Sequence, residues 1–152
     1  MPYVCPRFSL AQIRLYCEIK TVFHDCELEH SIAGIWCDLY IPLSRIAIEY
    51  DGVYWHKDKE RQDLNKNFRL VSKGVTVFRV KEYGLKPLSE HDVVLDLRET
   101  GISVVKKVLQ HVLAYLSSEE SILRVHKDES NSRFTGIWSA MKNFLFAPEG
   151  SF

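Results

Sequence analysis

The pattern of apolar and polar positions predicts a chain that mixes strands with amphipathic helices. Apolar residues recur at helical spacing from Leu10 to Phe23, and Ser9, just before them, is a typical helix N-cap. Residues 35–41 and 46–51 are rich in β-branched and aromatic residues, which favour strands. Because the Pro42-Leu43-Ser44 turn lies between these two segments, they are expected to form a β-hairpin.

A second helix is predicted over residues 58–73, with Gly74 as its C-terminal stop. Its apolar stripe, which should face the core, consists of Leu64, Phe68 and Val71, with Leu70 beside it. Residues 75–80 predict a strand of high β-propensity. The order strand, helix, strand implies a right-handed crossover and a parallel strand pair.

The remaining segments are less regular. Residues 103–116 predict an amphipathic helix, and the polar residues 24–30 predict a connection with His24 and His30 in solvent. Residues 117–134 are mostly polar, and residues 134–146 predict either a short helix or a segment docked on the core.

Length and composition place the chain among ordinary globular proteins. Its 152 residues suit one domain, and 46% apolar with 26% charged residues is a typical balance. No apolar run has transmembrane length, and the first residues do not form a secretory signal. The four cysteines lack C-x-x-C spacing, which favours free thiols in a reducing cytoplasm over a zinc ribbon.

Acidic residues occupy unusual places in the predicted hairpin. Glu49 and Asp51 share one face of their strand because strand side chains alternate. Asp38 lies within an aromatic and apolar strand, where aspartate is depleted. A three- or four-residue loop would put Asp38 opposite Ile48 or Glu49, and only the second register brings the acids together. Such a group suits a hard cation such as Mg²⁺, and the alternative is a solvated edge strand.

The charges are unevenly distributed although the net charge is zero. Residues 57–86 contain nine Lys or Arg against four Asp or Glu, whereas residues 1–56 contain four against seven. An acidic segment followed by a basic one suits a metal site acting on a polyanion, and a charged face is otherwise simply solvated. The candidate phosphate contacts are Lys57, Lys66 and Lys73.

Taken together, these motifs resemble the PD-(D/E)xK nuclease core over roughly residues 9–88. The closest resemblance is to the branch of the very-short-patch-repair endonuclease and of phage homing endonucleases with a Glu-Asp-x-His-Asp signature. The matching segments are Trp36-Cys-Asp38-Leu-Tyr-Ile-Pro42, Ile46-Ala-Ile-Glu49-Tyr-Asp51-Gly-Val-Tyr-Trp55-His56-Lys57, Asp63-x-x-Lys66-Asn67 and Gly74-Val-Thr-Val-Phe-Arg79-Val-Lys-Glu82-Tyr-Gly-Leu85.

The resemblance implies a role for several residues. Asp38 would hold the metal with Asp51 nearby, His56 would transfer a proton, and Asp63 would either orient His56 or contribute to a second metal shell. Glu49 would be an accessory acid. The implied ion is Mg²⁺, for which Mn²⁺ would substitute.

The sequence also departs from the pattern of this branch. Gln12 stands where the first helix should supply a glutamate and is therefore a candidate catalytic residue. Glu18 is a candidate accessory acid, although it lies six positions later and on another face of that helix. The lysine of the wider superfamily is absent because position 51 is aspartate. Either the site uses an altered acid set, or Gln12 marks a weakened enzyme.

The expected fold is therefore α/β: a PD-(D/E)xK restriction-endonuclease-like core with a small mixed sheet flanked by helices, and a helical C-terminal extension over residues 89–152. The expected function is Mg²⁺-dependent cleavage of double-stranded DNA by the catalytic domain of a homing endonuclease.

Two alternatives stay open: an inactive DNA-binding module on the same fold, and an RNA-directed nuclease. The expected protein is cytoplasmic, encoded by a bacterium or phage, and free of membranes. It would form a homodimer for double-strand cleavage, with any recognition domain outside this chain.

Overall fold

The computed structural model describes residues 8–118, which form a mixed α/β fold. The helices are α1 (Leu10–Val22), α2 (Val53–His56), α3 (Glu60–Val71) and α4 (Ile102–Leu116). The strands are β1 (Glu27–Ile32), β2 (Ile35–Ile41), β3 (Ile46–Asp51), β4 (Thr76–Lys81) and β5 (Val93–Val94). The chain divides into two compact units, Met1–Val108 and Leu109–Phe152. The predicted boundary near residue 88, between the nuclease-like core and the C-terminal extension, stays a prediction. The predictions for residues 119–152 lie outside the described residues.

The five described strands make one mixed sheet in the order β1-β2-β3-β4-β5. Strands β1, β2 and β3 pair antiparallel, whereas β3, β4 and β5 pair parallel. The predicted hairpin and the predicted parallel pair joined by α3 are therefore confirmed. The turn of the hairpin is a 3₁₀ segment, Pro42–Ser44, followed by Arg45 in the left-handed region at φ 54°. The guanidinium of Arg45 donates to the carbonyls of Lys73 and Gly74, which ties this turn to the end of α3.

The hairpin register corresponds to the second of the two predicted alternatives. Leu39 pairs with Ile48, so continuing by one residue brings Asp38 level with Glu49. The regular ladder stops at Leu39, and the side chain of Asp38 instead accepts the N–H of Tyr50 at 2.8 Å. On the other side of β2, Glu29 adopts a positive φ of 48° beside this irregular point. The Asp38 carboxylate thus replaces a regular backbone contact between β2 and β3.

Helix α1 begins as predicted at the N-cap Ser9 and buries Leu15 and Ile19. Helix α3 ends before Gly74, whose φ of +76° is a conformation that glycine adopts without strain. The prediction for the buried face of α3 is wrong. Leu64, Phe68 and Val71 are exposed, Phe68 to 74%, whereas Asp63, Asn67 and Leu70 are buried.

The buried face of α3 follows from the sheet beneath it. Leu70 packs in an apolar cluster with residues from three strands and the segment before β4, namely Ile35, Cys37, Tyr40, Ala47, Val75 and Val77. One turn nearer the N-terminus of α3, the sheet presents Arg79 instead, whose side chain is fully buried. A buried guanidinium needs hydrogen-bond acceptors, and the side chain of Asn67 supplies one at 2.8 Å. Asn67, together with Asp63 one turn earlier, therefore faces inward.

Two further predictions need correction. Residues 24–30 are more than a connection, because Glu27–Ile32 form the edge strand β1. His24 is exposed as predicted, but His30 stacks on Tyr40 with ring centroids 4.9 Å apart and pairs with Glu27.

No helix within residues 8–118 combines the length and apolarity needed to cross a bilayer. Within the same range Cys17, Cys26 and Cys37 are free thiols, as the sequence predicts.

Candidate metal and proton-transfer site

The polar residues of the candidate site gather where β3 and β4 end, beneath the first turns of α3. The parallel register sets Glu49 beside Arg79 and Asp51 beside Lys81. All four side chains are buried. A cluster of buried charges is stable only when its members are paired, so the contacts of each one define what the site can do.

Asp51 is neutralised by two cations. Its two oxygens lie 2.7 and 2.9 Å from one guanidinium nitrogen of Arg79, and Lys81 Nζ lies 2.8 Å from the second oxygen. Burial alone would raise the pKa of Asp51, but Arg79 and Lys81 outweigh it and lower that pKa below its usual value. Asp51 is therefore a carboxylate whose charge and oxygens are already engaged.

His56 is held by Asp63. Its Nδ1 lies 2.9 Å from Asp63 Oδ2 and 3.6 Å from Asp51 Oδ1. Asp63 is fixed in turn, because its other oxygen lies 3.4 Å from the Arg79 guanidinium. The imidazole stays about a quarter exposed. Because Nδ1 is engaged, Nε2 is the ring nitrogen that can exchange a proton with a ligand.

Asp51, His56 and Asp63 form a group that could hold a metal ion. Each offers one ligand atom, and the three atoms lie within 4.8 Å of one another. Two carboxylate oxygens and one imidazole nitrogen suit several divalent metals. The formal charges of the two acids, however, are balanced by Arg79 and Lys81. A divalent ion at this group would add positive charge to a cluster that is already neutral.

Glu49 and Asp38 offer the oxygens that are less engaged. Glu49 is only 3% exposed, and its Oε2 lies 2.5 Å from Lys66 Nζ on α3. Its Oε1 is buried and accepts no hydrogen bond within residues 8–118. Asp38 uses one oxygen to hold the N–H of Tyr50, and no described residue donates a hydrogen bond to the other oxygen. These two adjacent acids thus have free lone pairs.

The environment of Glu49 also changes its protonation. The pKa of Glu49 is raised to about 7: burial is the main cause and the negative charge of Asp38 adds to it, while Lys66 and Arg79 act in the opposite direction. Burial likewise raises the pKa of the neighbouring Cys37 thiol to about 12, with Glu49 adding to the effect. At neutral pH, Glu49 is therefore divided between its neutral and charged forms.

Gln12 and Glu18 take positions away from this cluster. Gln12 completes a capping box on α1: its side-chain oxygen accepts the Ser9 N–H at 2.6 Å, and its own N–H donates to the Ser9 hydroxyl. Glu18 is exposed on the same helix. Neither side chain bonds to Asp38 or His56 within the described part of the chain.

The candidate phosphate contacts differ among themselves. Lys57 and Lys73 are exposed, whereas Lys66 is about 29% exposed and paired with Glu49.

The sequence alone assigns no role to Lys81, since its pairing with Asp51 depends on a strand register that residue types alone do not fix.

Two exposed aromatic rings adjoin His56 on α2. Tyr54 is 82% and Trp55 67% exposed, and their rings meet edge to face with centroids 4.8 Å apart. Glu82 anchors the start of this short helix, accepting the Val53 N–H at 2.8 Å and the Tyr50 hydroxyl at 3.2 Å. The anchored helix holds an aromatic pair in solvent next to the candidate site.

Comparison of the chain with protein-family models, with curated proteins and with solved structures finds no match.

Proposed function

We propose that this protein is a Mg²⁺-dependent endonuclease that hydrolyses phosphodiester bonds of double-stranded DNA. The observation that carries the proposal is the hydrogen bond between His56 and Asp63, formed next to Asp51 on the strand that also carries Glu49 and its unpartnered oxygen. A carboxylate bonded to Nδ1 fixes the ring and stabilises the imidazolium that forms when Nε2 takes a proton. His56 would in this way activate the attacking water.

The donor set fits a hard cation. The buried, unpartnered Oε1 of Glu49 and the second oxygen of Asp38 are the carboxylate oxygens that Mg²⁺ prefers. We assign the ion to Asp38 and Glu49 rather than to Asp51, because Asp51 is already engaged by Arg79 and Lys81. The bound ion would supply Lewis-acid stabilisation of the charge that develops on the phosphate.

The surroundings of His56 suit a nucleic acid. Tyr54 and Trp55 present apolar rings to solvent, and such rings stack on bases or enter base steps. Lys57 follows directly and can meet the phosphate backbone, as can Lys73 at the far end of α3. The proposed cation would be bound by Asp38 and Glu49, and Tyr54 and Trp55 would contact the bases. This combination favours a nuclease over a phosphatase for small molecules.

The order of elements also supports the PD-(D/E)xK core. Helix α1, the hairpin β2–β3, helix α3 and the parallel strand β4 follow the arrangement that the resemblance implies. The three candidate acids Asp38, Glu49 and Asp51 lie on the two adjacent strands of that hairpin.

A second candidate function is a DNA-binding module without catalysis. It is favoured by the neutralisation of Asp51 and by Gln12, which serves its own helix and supplies no acid to the site. Such a module would bind duplex DNA through Tyr54, Trp55 and the exposed lysines and would cut nothing.

Nicking of supercoiled plasmid in Mg²⁺ separates the two functions. The nuclease proposal expects cutting by the wild-type protein and none by Asp38→Asn, whose amide oxygen can still accept the Tyr50 N–H. Glu90→Gln, which removes one exposed carboxylate elsewhere, should cut like the wild type. Duplex binding without nicking in Mg²⁺ or Mn²⁺ would instead support the non-catalytic module.

A further inference from the structure

Lys66 differs from the other cations of the site in its freedom to move. Arg79 is fully buried and held by Asn67 and Asp51, and Lys81 is buried against Asp51. Lys66 is about 29% exposed, and its one polar contact within the described residues is the Glu49 carboxylate. It extends from α3 on a flexible stem, so it can leave Glu49 without disturbing the other pairs.

We infer that Lys66, bonded to Oε2 of Glu49, supplies the positive charge that the metal ion would bring to this carboxylate, and that it is displaced when the ion binds at Oε1. This inference rests on the metal site of the proposed function, because it requires the ion to bind Glu49. A buried carboxylate needs positive charge nearby, and in the protein without metal Lys66 supplies it.

Two cations cannot both contact Glu49 closely without repelling each other. A divalent ion on Glu49 carries twice the charge of an ammonium, so Coulomb repulsion drives the mobile partner away. Arg79 and Lys81 cannot respond, because leaving their places would unpair Asp51. Lys66 is the partner that can turn toward solvent and meet a phosphate oxygen of bound DNA.

This exchange gives Lys66 two partners in succession. In the metal-free protein it neutralises Glu49 and keeps that acid from remaining as an unpaired buried charge. In the metal-bound protein its ammonium is released at the edge of the site, where the polyanion would arrive. Lys66, the most mobile cation of the site, would thus bind DNA only after the metal is in place.

Lysine labelling tests the exchange without reference to cleavage. The full chain is reductively methylated with and without Mg²⁺, the rate at each lysine is read by mass spectrometry, and Mg²⁺ binding is followed by calorimetry. We expect labelling of Lys66 to rise about threefold or more with Mg²⁺, since a released and exposed amine is more reactive. Lys86, exposed and without an ion pair in the described residues, is the internal control and should not change.

Two variants sharpen the test. In Glu49→Gln, Lys66 should label fast without metal and show no further response to Mg²⁺. Lys66→Gln should bind Mg²⁺ on the order of tenfold more tightly than the wild type, a difference of about 1.4 kcal/mol. The affinities of both proteins are measured in the same buffer at the same pH. Lys86→Gln removes the same charge elsewhere and should leave the affinity unchanged.

The outcomes separate this inference from the proposed function. Mg²⁺ binding with no change at Lys66, or Lys66→Gln binding Mg²⁺ no more tightly, would overturn the exchange and leave the nuclease proposal standing. Release of Lys66 in a protein that never nicks DNA would overturn the nuclease proposal and support the exchange. A chain that binds no Mg²⁺ would overturn the exchange together with the metal site.

Discussion

Asp51 and Arg79 are 28 residues apart in the sequence and form a fully buried ion pair, with both carboxylate oxygens within 2.9 Å of one guanidinium nitrogen. The same guanidinium reaches Asn67 and Asp63 on α3. One pair therefore joins β3, β4 and α3 and sets where His56 can lie. Both the fold and the geometry of the candidate site therefore depend on the Asp51–Arg79 ion pair.

The Asp51–Arg79 pair leads to a stability prediction. Asp51→Asn removes the charge that compensates Arg79 and Lys81, so we expect a loss of about 3–5 kcal/mol in the free energy of unfolding. Asp38→Asn is the matched control: Asp38 is half-buried and forms no ion pair with any described residue, so the loss of stability should stay below about 1 kcal/mol. Urea unfolding followed by circular dichroism measures both. Equal stability of the two variants would contradict the assigned role of Asp51.

The exposed stripe of α3 gives a second prediction. Phe68 lies 74% in solvent and Leu70 is fully buried, although the sequence pattern suggests that Phe68 faces the core. Leu70→Ala should cost about 2–5 kcal/mol, whereas Phe68→Ser should change the stability by about 0.5 kcal/mol or less. Urea unfolding of the two variants, followed by circular dichroism, measures both changes in stability. If Phe68→Ser is the more damaging change, α3 packs with the opposite face.

Glu49 makes stability depend on pH in a defined window. Its pKa is raised from 4.5 to about 7 in the folded state, so the folded protein binds a proton more tightly than the unfolded chain. The resulting stabilisation is complete below pH 4.5 and is lost as the pH rises to about 7. Relative to Glu49→Gln, the wild type should lose up to about 3 kcal/mol across this window.

Thermal or urea unfolding of wild type and Glu49→Gln at a series of pH values measures the Glu49 contribution. The comparison cancels groups that both proteins share, including Asp51, whose lowered pKa makes its contribution decline only in acid. Two parallel stability curves from pH 4 to 8 would mean that Glu49 keeps its ordinary pKa in the folded protein, and therefore that Lys66 and Arg79 fully offset the effect of its burial.

Gln12 leads to a prediction about α1. Glutamate at this position can keep the capping box and interacts well with the helix N-terminus. We therefore expect Gln12→Glu to stabilise the protein by a few tenths to about 1 kcal/mol and to change Mg²⁺-dependent nicking by less than about twofold. A large gain in cutting would show that residue 12 reaches the metal, and that the capping box opens when the ion binds.

The elements that follow a simple periodicity could be predicted from the sequence. Helix α1 begins at Ser9, and β2, β3 and β4 fall where β-branched and aromatic residues concentrate. Strand β1 could not be predicted in this way. Its composition, Glu-Leu-Glu-His-Ser-Ile, is that of an exposed edge, and pairing with β2 rather than propensity makes it a strand.

The face of α3 and the partners of the site residues depend on tertiary structure. An apolar stripe normally faces the core, but the sheet beneath the first turns of α3 carries Arg79, Glu49 and Asp51, so Asp63 and Asn67 turn inward. Asp38 stands out in the sequence as an acid within an apolar strand, and the family resemblance adds His56 and Asp63 as candidates. The pairing of Asp51 with Lys81 and of Glu49 with Lys66 follows from strand register and helix placement, which residue types alone do not determine.

The most direct test of the central claim is the rate of Mg²⁺-dependent plasmid nicking by the wild type and by His56→Asn. Asparagine can still donate a hydrogen bond to Asp63 but cannot take a proton from water. The account predicts cutting by the wild type, a loss of about 100-fold or more in His56→Asn, and no loss in His24→Asn, which changes an exposed histidine. Equal rates in wild type and His56→Asn, or no Mg²⁺-dependent nicking by the wild type, would contradict it.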